Sequence, residues 1–229
     1  FTFICIIFMF IPMIYRGYSP FLSAVIVVIL VTIVSMYLID GITIKSVSAM
    51  LGTGIGVIIA GIFAAGFGHL AKISGYNVSE IEELIFVANN TNLKIGGLLF
   101  AGILIASLGA VMDVSMSVAS TINEIYDKNP DLSGKELFKS GINVGKDMMG
   151  TMSNTLILAF TGGSINTLIL NYSYNMQYNQ IINMYSIGIE IMQGISGSIG
   201  VILTVPLVSF ITSFLLTNSK LKSNKILDI

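Results

Sequence analysis

Four polar residues, Asp113, Ser117, Ser120 and Glu124, recur at intervals of four, three and four in an apolar stretch. On a helix they lie within about 60° of one another and form one stripe. Asp147, Thr151 and Asn154 begin a second stripe that continues to Thr161, with Thr155 and Gly162 at its border. Carboxylates backed by hydroxyls and an amide are donors suited to holding a cation, or to taking up a proton coupled to helix movement. They do not form a hydrolytic set. The chain has one histidine, His69, and carries no His-Glu-x-x-His and no Gly-x-Ser-x-Gly. Asp113 and Asp147 formally supply an aspartate pair, but neither follows Gly-x-Gly and Asp147 falls near a span boundary. No catalytic residue is assigned, and the chain reads as not an enzyme. The single cysteine, Cys5, excludes an internal disulfide and a multi-cysteine metal cluster. His69 has no second histidine to help it and reads as an interfacial residue, so no metal and no cofactor is expected. No nucleotide-binding loop is present, which leaves a gradient or a partner as the energy source.

The surroundings of these residues set their meaning. Of 229 residues, 54% are hydrophobic and 10% charged, with a net charge of −1 and a mean hydropathy of +0.88. An ordinary soluble domain carries roughly 25% charged residues. So few charges cannot build a polar shell, which excludes a soluble enzyme, a disordered chain and a disulfide scaffold. The lysines form no nucleic-acid patch. The fold class is an all-α integral membrane protein, with the lipid bilayer as its first partner.

A helix needs about 20 apolar residues to cross the hydrocarbon core. Six candidate spans follow in order: 1–15, 20–39, 47–71, 93–115, 148–170 and 192–217. They form a single membrane domain, a bundle of about six helices. The chain opens inside an apolar run, so the first span is expected to be cut short. The loop 127–147 carries Lys128, Lys135, Lys139 and Lys146, and the C-terminal tail carries Lys220, Lys222 and Lys225, whereas 171–189 has no Lys or Arg. The excess of basic residues places the first two in the cytoplasm and 171–189 outside. Arg16 is the one mild violation.

Two further segments read as amphipathic helices. Residues 78–89 form an external one, opening with Ser79 and Glu82 in a capping-box pattern. Residues 134–147 form a cytoplasmic one, opening with Ser133 and Glu136, with Lys135, Lys139 and Lys146 on one face and Phe138 and Ile142 on the next. That helix is either an interfacial anchor or a docking surface for a partner.

Small residues recur every fourth position along the third span: Ser48, Gly52, Gly56, Ala60, Ala64 and Gly68. Such a ridge lets another helix approach closely, or lines a narrow pathway. Gly102, Ala106 and Ala110 repeat the pattern in the fourth span. The last span opens with Glu190 and Gln193 and contains Pro206, and Gly162-Gly163 with Asn166 beyond can interrupt the fifth. The two polar stripes belong to consecutive helices joined by a short loop, so antiparallel packing can bring their faces together. Asp113 has three readings: a hydrogen-bond hub between helices, an ion or proton site, or a solvent-exposed carboxylate beyond an early helix end.

Two blocks carry a family resemblance. Leu108 to Ser120, reading Leu-Gly-Ala-Val-Met-Asp-Val-Ser-Met-Ser-Val-Ala-Ser, is followed by Asn123-Glu124. Gly141 to Phe160 reads Gly-Ile-Asn-Val-Gly-Lys-Asp-Met-Met-Gly-Thr-Met-Ser-Asn-Thr-Leu-Ile-Leu-Ala-Phe. Together they resemble the YibE/F-like family of bacterial multi-pass membrane proteins. The resemblance implies a bacterial plasma-membrane location and transfers no catalytic residue, because the family has no assigned activity. Two functional expectations stand: a permease-like protein moving a small solute or ion along the stripes, and a membrane subunit of a larger transport or export complex. The second works with another copy, another membrane subunit or a separate ATPase, docked through 134–147.

Overall fold

The computed structural model describes residues 1–78 and 81–227, the last nine by backbone alone. The capping pattern expected at Ser79 and the side chains of Lys220, Lys222 and Lys225 fall outside that description. Of the described residues 87% are helical, and none is in a strand. In bilayer core every backbone N–H and C=O must be satisfied within the segment, and a helix does this.

A short apolar helix, α1, covers Thr2–Tyr15. It is followed by α2 (Pro20–Asp40) and α3 (Ile44–Ala71). A short amphipathic helix, α4 (Ile81–Asn90), precedes the long α5 (Leu98–Lys128) and α6 (Gly134–Gly163). Two short helices, α7 (Ile165–Ser173) and α8 (Tyr178–Ile182), lead into α9 (Tyr185–Leu227). Four helices are long and apolar enough to cross a membrane, with the α6–α7 pair as a fifth span bent by 51°. At 14 residues, α1 is shorter than these candidate spans.

Local sequence explains the boundaries. Pro20, in the first turn of α2, needs no hydrogen bond on its missing N–H there. Thr43 caps α3 by accepting the Ser46 N–H at 3.1 Å. The far end of α3 closes in a Schellman turn: Lys72 is left-handed at φ 55, and the Ile73 N–H reaches the Gly68 carbonyl at 2.8 Å. The expected capping box opens α6. Ser133 Oγ accepts the Glu136 N–H at 3.3 Å, and Glu136 Oε2 accepts the Ser133 N–H at 2.9 Å. No breaker follows Asp147, so the amphipathic segment 134–147 is the first half of α6 and runs straight on into the span.

The packing centres on α9, which lies against α3, α5 and α6, while α2 covers the other side of α5 and α3. Lipid tails are as apolar as leucine, so burial of apolar surface does not drive these contacts; close van der Waals fit does. The small ridge of α3 meets α9 in antiparallel register. A Cβ on Gly52 would strike Val208 Cγ2, and one on Gly56 would strike Thr204 Oγ1. One on Gly200 would come 2.8 Å from Ala60 Cβ and 3.1 Å from the Gly56 carbonyl oxygen. Ala60 and Ala64 are fully buried, and Gly68 packs under the Phe100 ring. The α6–α9 seam repeats the device: Gly145 faces Val205, and Gly141 faces Ser209 and Ile122. Val57, Leu104, Val111, Val114, Val118 and Val201 fill the core between these helices.

Candidate functional site

The long helices α2, α3, α5 and α6 each have a buried face, but α5 is unusual in what lies opposite. Its inner face carries Leu104, Leu108, Val111, Ser115, Val118 and Ile122, all buried. Its outer face carries Gly102, Ala106, Gly109, Asp113, Ser117, Ser120 and Glu124, at helical spacing. Asp113 and Glu124 are exposed, and Ser117 and Ser120 are half-buried. No large hydrophobic side chain of α5 is exposed. The neighbouring spans behave as lipid-facing helices should. Leu22, Ile26, Ile29 and Ile33 project from α2, and Ile55, Ile58 and Ile62 from α3.

Asp113 lies midway along the 31-residue α5. The helix through Ile95–Lys128 holds a window apolar enough to cross a membrane, and it runs on to Lys128, so Asp113 does not lie beyond an early helix end. No hydrogen bond or ion pair to its carboxylate occurs among the described residues. At the centre of a bilayer a carboxylate costs about 2.5–3.5 kcal/mol by insertion scales, and more on an isolated helix. Glu124, nearer the helix end, pairs with Lys128 at 3.1 Å, both side chains well exposed; a pair of that kind contributes little.

The second stripe is also outward. Asp147, Thr151 and Asn154 are exposed on the side of α6 away from Gly141 and Gly145, which face α9. Its hydroxyls bond within their own helix. Thr151 Oγ1 donates to the Asp147 carbonyl at 3.1 Å, and Thr155 Oγ1 to the Thr151 carbonyl at 2.9 Å. On α5, Thr121 Oγ1 donates to the Ser117 carbonyl at 2.8 Å. Helices α5 and α6 pack together near Ile122 and Gly141. No hydrogen bond links the two stripes among the described residues. The stripes are thus on adjacent helices, as their spacing and short loop imply, and the side chains of Asp113, Asp147, Thr151 and Asn154 are exposed. Each is an outward-facing row of small and polar residues with an exposed carboxylate, Asp113 on α5 and Asp147 on α6. Such a surface can coordinate a cation or pass a proton once something other than lipid lies against it.

Glu190 was visible in the sequence only as a charge opening the last span. In the structure it is half-buried, with Gln193 and Ser186, in a cleft of about 290 Å³ beside the α6–α7 break. The Gly162-Gly163 pair signalled that break, but nothing in the sequence told which helix would face it. The core also holds hydroxyls without a partner among the described residues, those of Thr53, Ser209, Thr212 and Ser213. Among the described residues no group of three or more His, Cys, Asp or Glu could hold a metal ion.

No curated protein and no solved structure matches this chain. A family model for "YibE/F-like protein" matches residues 1–218, a stretch that includes both polar stripes, the small ridge and Glu190. The chain is a multi-pass membrane protein by its apolar helices, and it belongs to the YibE/F-like family.

Proposed function

We propose that this chain is a permease-like protein that moves a small solute or ion along the outer flank of α5 and α6. One observation carries the reading: Asp113, exposed at the middle of a spanning helix, lies on a helix whose outer side has no exposed large apolar side chain. Lipid does not favour that face, and an aqueous path does. The path is completed by a further copy of the chain or another membrane subunit. Asp113, Ser117, Ser120 and Glu124 line it from α5, and Asp147, Thr151 and Asn154 from α6. The chain is not an enzyme in this reading; Asp113 binds the moving cation or carries its proton. In this reading the protein resides in a bacterial plasma membrane with the segment 127–147, which includes the first half of α6, and the C-terminus in the cytoplasm.

The test is flux in proteoliposomes loaded with a panel of protons, alkali cations and small solutes. Wild-type vesicles are expected to move one of them above empty vesicles, and Asp113→Asn to lose most of that flux. Equal flux from the two would overturn the role of Asp113.

A second reading, docking of a soluble partner on the first half of α6, is favoured by a specific groove. Lys135 and Phe138 face Phe210 and Phe214 across a cleft of about 290 Å³ where α6 begins. The two α9 rings are stacked at 6.1 Å. In that reading the partner leaves on Phe138→Asp and is seen to leave by co-purification.

A further inference from the structure

Glu190 stands on the second turn of α9, at the point where two clefts meet. The first is polar, of about 290 Å³, and Asn77, Ser164, Thr167, Ser186 and Gln193 line it with Glu190. The second is apolar, of about 200 Å³, walled by Ile157, Leu168, Ile187, Ile191 and Ile195. Ser164, Ile187 and Glu190 belong to both. The space exists because α6 stops at Ser164 and α7 leaves at 51°.

The chemistry of the walls is asymmetric. No Lys, Arg or His lines either cleft. The Glu190 carboxylate has no hydrogen bond or ion pair among the described residues. It lacks the additional carboxylates a divalent metal demands. A half-buried carboxylate without a cation is costly, and the amide and hydroxyls beside it suit the N–H groups of an ammonium. Ile157, Ile191 and Ile195 are exposed on the flank of the bundle, so the apolar cleft opens towards acyl chains.

We propose that this double cleft binds an amphiphilic amine. Its primary ammonium rests on Glu190 among Ser186, Gln193 and Thr167, and its alkyl chain lies in the isoleucine groove. The charge of the head matches the carboxylate, and the tail matches the groove that shares it. The same chemistry occurs in a free alkylamine and in the headgroup and chain of an aminophospholipid. This site is separate from the Asp113 flank and stands or falls without it.

Native mass spectrometry of the full chain, released from uncharged maltoside micelles, reads the ligand directly. Dodecylammonium is the first probe and dodecanol the control with the same tail and no charge. Wild-type chain is expected to retain one dodecylammonium, and Glu190→Gln to hold it about tenfold more weakly, the weight of a charge-assisted contact. Asp113→Asn, which leaves the cleft intact, is expected to retain it as wild type does. Circular dichroism of Glu190→Gln checks that the helices remain. A second arm adds phosphatidylethanolamine or phosphatidylglycerol to the micelles. Displacement of dodecylammonium by the ethanolamine lipid alone identifies a lipid source, and displacement by neither identifies a free amine. Equal retention by wild type and Glu190→Gln, or equal retention of dodecanol and dodecylammonium, overturns the proposal.

Discussion

Substituting Gly56 by alanine tests whether close approach, and not helix propensity, governs the α3–α9 seam. An alanine in an open helical position gains about 0.5–1 kcal/mol over glycine, because the unfolded chain loses less freedom. Gly54 and Gly66 on the same helix have open space where a Cβ would go, so alanine there should be neutral or gain up to that amount. At Gly56 the methyl would strike Thr204 Oγ1 and stand 2.9 Å from Val111 Cγ1. Both neighbours are fully buried, so neither has free space to enter. Thr204 Oγ1 also donates to the Gly200 carbonyl at 2.7 Å, and turning it away forfeits about 0.5–1.5 kcal/mol. Overpacking of this kind costs typically about 1–3 kcal/mol. After the helix gain, Gly56→Ala is expected to lose about 1–2 kcal/mol, and Gly54→Ala none. Reversible unfolding by dodecyl sulfate in maltoside micelles, followed by far-UV circular dichroism, measures both. If Gly56→Ala is as stable as Gly54→Ala, the register of α3 on α9 is wrong and the packing account fails with it.

Cysteine accessibility reads the α5 flank in the membrane: on a Cys5→Ser background, Ser117→Cys should react with a water-soluble maleimide, whereas Ile26→Cys on the lipid face of α2 should stay unlabelled. Equal protection of the two would argue against an aqueous path. The same reagent added from each side of oriented vesicles reports the orientation, with Lys139→Cys expected to label from the cytoplasmic side. Ser133→Ala removes the cap that accepts the Glu136 N–H and should cost about 1 kcal/mol. Hydrogen exchange at residues 134–137 checks it, and unchanged protection would mean the capping box does not hold the start of α6.

Much of this architecture was legible in the sequence, because length and hydropathy define spans and capping residues mark their ends. Ser133 and Glu136 announced the start of α6 correctly. Where that helix stops was harder to read. The lysines of 134–147 signalled a separate surface helix, but continuity depends on the absence of a breaker after Asp147, and α6 continues. The small ridge at Gly52, Gly56 and Ala60 announced a close neighbour without naming α9, since periodicity carries no information about a partner distant in the chain. The polar stripes illustrate the sharper limit. Spacing shows which residues share a face of α5, but in a bilayer the buried and the lipid-facing sides are both apolar. Only the packing of Leu104, Val111 and Val118 against the other helices shows that Asp113 points out. Glu190 needed the bend at Ser164 to acquire a cleft.

The two-faced character of α5 also bears on how the protein is made. A helix enters the bilayer on its own hydropathy, and Ile95–Lys128 carries a strongly apolar window, averaging 2.3 on that scale. Insertion therefore proceeds on the apolar majority, and the cost of Asp113 is deferred. Until something covers the flank, each newly inserted copy carries a carboxylate facing acyl chains. On the function proposed above, biogenesis would fall into two steps with different controls: residue composition would govern entry, and the density of partners in the membrane would govern how long the exposed face persists.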